Sequence, residues 1–434
     1  MSINILPDNV LLEIFCFHVD EDRLTKKAIE AWQSLVHVCR RWRRLVFRSP
    51  RRLKLRLVCA ARTPARDTLD VWPALPLIIM GCAERLEEID NIIAALERSD
   101  RVYGTSIHFS GSNFENVSAA MQKPFLKLFY LSLSSSEVVP VLPDSFLGGS
   151  APHLRAFWLR RIPFPGLPNL LLSATHLKYL DLFEIPHSGY FSPEAIATVL
   201  STLTNLRSLS LEFQSPRSLP ERESRRPPPL RRSVLPSLLL LRFKGVTEYL
   251  EDVVARIDAP RLSSLVISFF NQVVFDTPQT IQFINRTPRL KVHEEACLVF
   301  DHAGARVHLS SPNGSNYGCI DVRIPCIEFD WQVSSLEQIC TSTLPPLSVS
   351  ENLYIYENPH SPPGWKDNIE NALWLELLHP FIAVKTLYLS EKLASRIAPA
   401  LQELIGDRTP EVFPTRKIFS WRGLIHPDLF RRAL

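Results

Sequence analysis

Two groups of side chains have the types that could support chemistry. His302 and His308, with Asp301 beside the first, carry the imidazole and carboxylate groups of a metal site or an acid–base pair. On a predicted strand, however, that spacing puts both histidines on one face over a length too great for one metal, and both are expected at the surface. Cys39 stands next to Arg40 and Arg41, whose charge would favour a nucleophilic thiolate. The helix predicted around it starts well upstream, so Cys39 is expected to serve packing. The chain contains no G-x-S-x-G, P-loop, G-x-G-x-x-G or H-E-x-x-H pattern. No catalytic residue, cofactor or metal is expected, and the chain reads as a binding protein rather than an enzyme.

Binding chemistry is better represented. Residues 40–62 hold ten Lys and Arg and no Asp or Glu. Such a run could meet phosphates, but aromatic residues for base stacking are not regularly interleaved with it, since Trp42 and Phe47 are its only two. A solvated helix face leading into a strand is the favoured reading, and neither a nucleic acid nor a membrane is expected as partner. Attraction to an acidic protein surface is a third use, which would speed association more than deepen affinity.

The elements that would position other binding groups come from a repeated pattern, L-x-x-L-x-L. It occurs at Leu128/Leu131/Leu133, Leu154/Phe157/Leu159, Leu177/Leu180/Leu182, Leu206/Leu209/Leu211, Leu238/Leu241/Phe243 and Leu262/Leu265/Ile267, with a late copy at Val384/Leu387/Leu389. Successive early copies are 23 to 32 residues apart, the period of leucine-rich repeats with some insertions. Helical signals lie between copies: Ser192-Pro193-Glu194 is a cap, first-turn proline and acidic first turn, and Thr247 precedes Leu250, Val253, Val254 and Ile257. The array therefore resembles irregular leucine-rich repeats, which implies a solenoid with a parallel sheet. The repeat asparagine is missing, and His293 and Glu295 fall where apolar residues would follow Leu290, so residues 291–350 are expected to be a distorted stretch or a divergent cap. Because side chains alternate along a strand, the open sheet face is predicted to carry Trp158, Arg160, Tyr179, Asp181, Phe183, Glu212, Arg242 and Lys244. Aromatics and arginines are the residue types that dominate interfaces, so this face is the expected site for an unidentified protein substrate. A neighbouring loop over Trp158 and Phe183 is the competing account.

Composition agrees with a folded protein: 46% hydrophobic and 22% charged residues, with a net charge of +4. Proline is abundant, 35 residues against 14 glycines, and in Ala-Pro-Arg-Leu (259–262) and Thr-Pro-Arg-Leu (287–290) it punctuates a repeated turn. Residues 214–236 interrupt the rhythm with six arginines around Pro227-Pro228-Pro229 and predict a solvated insertion. Their arginines could alternatively form a nuclear-localisation or acidic-partner patch. The eight cysteines are scattered without a CxxC pair and read as buried free thiols of a reducing compartment. Asp8 and Glu13 interrupt any leader-like run, and the most apolar stretch, residues 74–83, is too short to span a bilayer. A cytoplasmic or nuclear protein is expected.

At the N-terminus, Pro7 is placed at the first position of a helix with Asp8 at the positive end of its dipole. Val10, Leu11, Ile14 and Phe15 make one apolar stripe. A second helix is predicted over 30–47, with Leu35, Val38, Trp42 and Leu45 on one face, and Pro50 stops it. These two blocks, Leu6, Pro7, Ile14 and Phe15, then Val38, Cys39, Arg41, Trp42 and Leu45, resemble the F-box-like head common in large families of mushroom-forming fungi. The resemblance covers roughly the first fifty residues, with one departure: residues 18–31 form a longer, charged connection in place of a short leucine-rich one. It implies docking onto the Skp adaptor of a cullin-RING ubiquitin ligase through Leu6, Pro7, Val10, Leu11, Ile14, Phe15, Val38 and Trp42, with the repeats holding a substrate. The expected organisation is a head at 1–50, a connecting segment and solenoid cap at 51–100, and the repeat domain at 101–434.

Overall fold

The computed structural model describes residues 6–18, 30–62, 64–71, 73–83, 85–110, 113–216, 232–270, 275–291, 293–311, 318–344, 347–363, 369–406 and 417–421. By internal packing the chain divides into two units, Met1–Phe191 and Ser192–Leu434. Both are mixed α/β with mostly parallel strands. No helix among the described residues is long and apolar enough to cross a membrane.

The first unit begins with helices α1 (Asp8–His18), α2 (Trp32–Val36) and α3 (Arg40–Arg48). Pro7 precedes α1 rather than occupying its first position, and its carbonyl accepts from the Val10 and Leu11 N–H groups, each at 3.1 Å. The single helix expected over 30–47 is broken. Cys39 is extended at φ −159° and caps α3, its Sγ accepting from the Trp42 N–H at 3.4 Å. Cys39 therefore sits at a helix start, not far from one. The break has a packing cause. In one straight helix, Trp32, Leu35, Val36, Trp42, Leu45 and Val46 would spread over about half the circumference; divided in two, all six are buried.

Strands β1 (Leu57–Ala60), β2 (Leu77–Ala83), β3 (Val102–Phe109), β4 (Tyr130–Ser135), β5 (Ala156–Arg160) and β6 (Tyr179–Ile185) follow in chain order, each parallel to the next. Helices α4 (Ala65–Val71), α5 (Leu86–Leu96), α6 (Phe114–Ala120) and α7 (Leu167–Leu171) lie between them in the chain. β1 and β2 occupy the span expected to be a connecting segment and cap. Their inward residues, including Leu57, Cys59, Leu77 and Ile79, lack the leucine pattern that marks the later strands.

The second unit contains α8 (Pro193–Leu200), β7 (Ser208–Phe213), β8 (Ser233–Val234), β9 (Leu240–Gly245), α9 (Thr247–Val254), β10 (Ile257–Asp258), β11 (Ser264–Phe269) and α10 (Pro278–Arg286). It continues with β12 (Glu295–Asp301), β13 (Gly304–Ser310), β14 (Cys319–Pro325), α11 (Phe329–Ser342), β15 (Asn352–Glu357), α12 (Asn371–Leu378), β16 (Thr386–Ser390), α13 (Glu391–Gly406) and β17 (Lys417–Trp421). The strand order is β7-β9-β11-β14-β13-β12-β15-β16-β17, and β8 pairs with β10 separately. After β11 the chain skips two places to β12, doubles back through antiparallel β13, and lays β14 parallel to β11. Residues 291–350 thus hold a three-strand excursion, a distorted stretch and not a cap, since β15, β16 and β17 continue the sheet beyond it. His302 lies in the turn between β12 and β13, so it shares no strand with His308. His308 is largely buried, with its side chain 13% exposed, which corrects its reading as a surface histidine.

Every residue of the repeated pattern named above, from Leu128 to Leu389, is buried. Each early copy opens through the same turn. The N–H of Leu128, Leu154 and Leu177 bonds the carbonyl three residues earlier at 3.1, 3.2 and 3.0 Å, and Leu206, Leu238 and Leu262 repeat this in the second unit at 3.0, 3.3 and 3.1 Å. Pro152, Pro236 and Pro260 take the second turn position, where a fixed φ is preorganised. Ser192 caps α8 by accepting from the Ala195 N–H at 3.1 Å, whereas Thr247 lies inside α9 after Val246.

Two buried polar groups of the second unit lead to predictions. Glu251 on α9 is 5% exposed and accepts from the N–H groups of Gln279 and Thr280 at 2.7 and 2.8 Å and from Thr280 Oγ1 at 2.7 Å. It thereby caps α10, whose own Thr277 supplies no side-chain cap. Glu251→Ala is expected to lower unfolding free energy by about 2–3 kcal/mol, as read from urea midpoints, because charged acceptor and helix dipole are lost together. Glu251→Gln should recover part of this.

His293, 2% exposed, donates from Nε2 to the Leu290 carbonyl at 2.9 Å. Burial pushes its pKa down from 6.5 to about 4. The unfolded chain takes up this proton near pH 6.5 and the folded chain only near pH 4, so the His293 contribution is complete above pH 6.5 and is lost as pH falls between those values. Folding stability should drop by about 2 kcal/mol between pH 7.5 and 5 from this group alone. Urea midpoints of His293→Gln at the two pH values should lack that component.

Candidate functional site

Three surfaces bring together groups suited to binding: the helical head, the open sheet face of the first unit, and that of the second. In the head, Leu11, Leu12 and Phe15 of α1 are buried, and the Phe15 and Trp42 rings lie 4.7 Å apart. Trp32 is fully buried and donates from Nε1 to the Arg56 carbonyl at 2.9 Å. Arg41 fastens the start of α1 to α3, with Nη2 2.6 Å from both Asp8 Oδ1 and the Leu6 carbonyl. Arg52 pairs with Glu13.

This packing divides the residues expected to dock a partner. Leu11, Phe15 and Trp42 are interior and hold the head together. Leu6 is half-buried and Pro7 exposed. Val10, Ile14 and Val38 are 37%, 42% and 58% exposed, and Phe17, absent from the expected set, is 88% exposed. Val10, Ile14 and Phe17 fall at i, i+4 and i+7, which places them on one line along α1. The same spacing in the sequence could have added Phe17. Of the charged connection at 18–31, residues 19–29 lie outside the described residues.

On the open face of the first unit, register aligns three rows. Ile78, Gly104, Tyr130, Ala156 and Tyr179 form the first; Met80, Ser106, Ser132, Trp158 and Asp181 the second; Cys82, His108, Ser134, Arg160 and Phe183 the third. The first row is closed over, with Ile78, Tyr130 and Ala156 buried in one cluster. A Cβ on Gly104 would lie 2.0 Å from Tyr130 Cε1, so the tyrosine ring lies across the glycine. Trp158 and Phe183 are half-buried, Tyr179 is 40% exposed, and Trp158 Nε1 donates to Asp181 Oδ2 at 2.5 Å. Arg160 is exposed and reaches Glu184 at 2.6 Å, and Arg161 pairs with the other oxygen of the same carboxylate. Burial would raise the Glu184 pKa, yet the hydrogen bonds and charge of these two arginines hold it below the usual carboxylate range.

On the open face of the second unit, Glu212, Arg242 and Lys244 border a depression of about 760 Å³ floored by Ser264, Val266 and Ser268 of β11. Arg242 lies 4.0 Å from Glu212. The far bank holds Asp321 and Arg323, which sequence reasoning did not select, and His308, which it assigned to the surface. Asp321 is 7% exposed, bonds Arg306 through both carboxylate oxygens, and has Arg323 at 3.5 Å and His308 at 3.7 Å. Burial opposes its ionisation, but His308 and the two arginines keep its carboxyl below the usual range. Strand alternation over 304–310 and 319–325 was the available signal. Of the insertion at 214–236, residues 217–231 lie outside the described residues.

All eight cysteines are free thiols, and burial pushes Cys59 and Cys297 up to about 11 and 12, which leaves both protonated at neutral pH. No group of His, Cys, Asp and Glu that could hold a metal ion occurs among the described residues. Comparison with protein-family models and with curated proteins finds no match to this chain.

Proposed function

We propose that this protein is the substrate-recognition subunit of a cullin-RING ubiquitin ligase of the SCF type. In this reading its F-box-like head docks on the Skp adaptor, its sheets are the parallel sheet of an irregular leucine-rich-repeat solenoid, and their open face holds a protein substrate. The protein itself performs no chemistry. It acts by proximity, raising the effective concentration of substrate lysines near the charged ubiquitin carrier.

The observation that carries the reading is the apolar line of Val10, Ile14 and Phe17, with Val38, left exposed on a head whose own core is already filled by Leu11, Phe15, Trp32 and Trp42. Exposed apolar groups in a row mark a surface that another protein covers, and Ile14 and Val38 belong to the blocks that resemble the F-box. The test is capture of purified Skp adaptor by the full chain. Val10→Asp/Ile14→Asp should abolish capture while leaving the thermal unfolding midpoint nearly unchanged, because neither side chain is in the core. Absence of capture by the unaltered chain sinks the ligase reading. It would leave the second reading, an interaction scaffold without a ligase role, which the aromatic and arginine side chains of the open faces favour independently.

A further inference from the structure

The residues that enter strands β4, β5 and β6 form a rim along the border of the open face, where Tyr103 and Phe129 pack against Ile78, Tyr130 and Ala156. Along it, the backbones of Tyr103, Phe129, Arg155 and Lys178 are joined strand to strand: Phe129 N–H donates to the Tyr103 carbonyl at 2.7 Å, Arg155 to Phe129 at 2.8 Å and Lys178 to Arg155 at 2.8 Å. Their side chains therefore occupy one row with steps of about 4.8 Å. The register shift between β2 and β3, at Leu77/Ile78 of β2, admits the extra β3 residue, Tyr103, that enters the row.

The row is a stack of alternating chemistry. Tyr103 and Phe129 lie face to face with centroids 4.9 Å apart, the Arg56 guanidinium sits 4.1 Å from the Tyr103 centroid, and that of Arg155 sits 4.7 Å from Phe129. Stacking holds a guanidinium plane in place while leaving its in-plane N–H donors directed outward. Beside the stack is a depression of about 360 Å³ lined by Tyr103, Lys127, Phe129, His153, Arg155 and His176, and no carboxylate is among these described lining residues. Lys127, His153, Arg155 and His176 are all exposed.

We propose that this rim binds an extended, carboxylate-rich segment of a partner protein. Charge selects an anionic ligand, and the layout selects its form. The cations are distributed along successive strands, Lys127 before β4, Arg155 before β5 and Lys178 before β6, which suits a row of carboxylates better than the convergent donors a single phosphate needs. A nucleic acid is disfavoured because Tyr103 and Phe129 stack on each other and on Arg56 and Arg155, so neither ring offers an open face to a base. The proposal rests on the partner-binding role of the sheet and uses no residue of the head.

The test is fluorescence anisotropy of the full-length chain with a labelled peptide of about ten mixed Asp and Glu residues, against a Gln and Asn peptide of equal length. The acidic peptide should bind, and the neutral one should not. Lys127→Gln/Arg155→Gln/Lys178→Gln should weaken binding at least about tenfold, and raised salt should do the same. Lys385→Gln/Lys392→Gln, two exposed lysines of the second unit away from any proposed surface, should leave it unchanged. Phe129→Leu, which keeps every cation but removes the stack under Arg155, should weaken binding several-fold; it serves as the readout if the triple variant fails a circular-dichroism check of folding. No binding, or equal loss in the second-unit variant, overturns the proposal. Preferential binding of a phosphoserine peptide or a single-stranded oligonucleotide through the same residues overturns the choice of occupant. Loss of a native partner in Trp158→Ala, with that partner retained by the rim variants, would remove the rim and leave the open-face reading standing.

Discussion

Asp321→Ala is expected to destabilise the second unit by about 3–5 kcal/mol, the cost of leaving a buried cation without its counter-ion. Arg306 bonds both oxygens of this carboxylate, and its side chain is 19% exposed, so water cannot fully replace the lost partner. His308 and Arg323 lose the same neighbour, and three cationic or protonatable groups would then face one another on β13 and β14. Removing both sides of the pair should behave differently. In Arg306→Met/Asp321→Leu the desolvation cost disappears along with the attraction, and most of the loss should be recovered. Urea unfolding of Arg306→Met, Asp321→Leu and the double variant forms the cycle; equal stability of Asp321→Ala and the unaltered chain would show that the pair contributes nothing.

Trp32→Ala should unfold the head, whereas Val10→Asp/Ile14→Asp should leave it intact. Truncating a fully buried tryptophan costs about 3–5 kcal/mol, and here it also strands the Arg56 carbonyl that Trp32 Nε1 satisfies. A head of three short helices has little stability to lose. Its edge-on contact with Phe47, at 6.0 Å, would go as well. Limited proteolysis should therefore cut Trp32→Ala between α1 and β1 while the remainder resists, and a cleavage pattern like that of the unaltered chain would argue against it. The pair of variants separates two causes of failed adaptor capture: a head that is not folded, and a folded head whose surface is wrong.

Much of the sheet could be read from the chain because its signal is local. In Leu177, Leu180 and Leu182 the spacing alone assigns an inward face, and Tyr179, Asp181 and Phe183 then point the other way whatever surrounds them. The turn before β11 was equally legible, since Pro260 of Ala-Pro-Arg-Leu presets it without help from distant residues, and Pro152 and Pro236 take the same position before β5 and β9. β1 and β2 were not legible, because Ile78 and Ile79 are both buried, one on each side of the sheet, and a strand covered on both faces shows no alternation.

What the sequence by itself determined, then, is the repeating strand and turn, the parity of each strand residue, and the presence of two helical blocks at the N-terminus, all consequences of backbone period and turn chemistry. Tertiary structure decided which half of the α1 stripe is core and which is surface: Leu11 and Phe15 are buried, Phe15 against Trp42, which is brought there by a helix break that no propensity at Val38-Cys39 announces. It also decided the order β14-β13-β12, and with it the Asp321 cluster. The cationic and aromatic rim arose the same way, since Arg56, Tyr103, Phe129 and Arg155 span a hundred residues of chain and become neighbours only when parallel strands set them side by side. Period is a property of a segment; adjacency between segments is settled by which arrangement buries their apolar faces together.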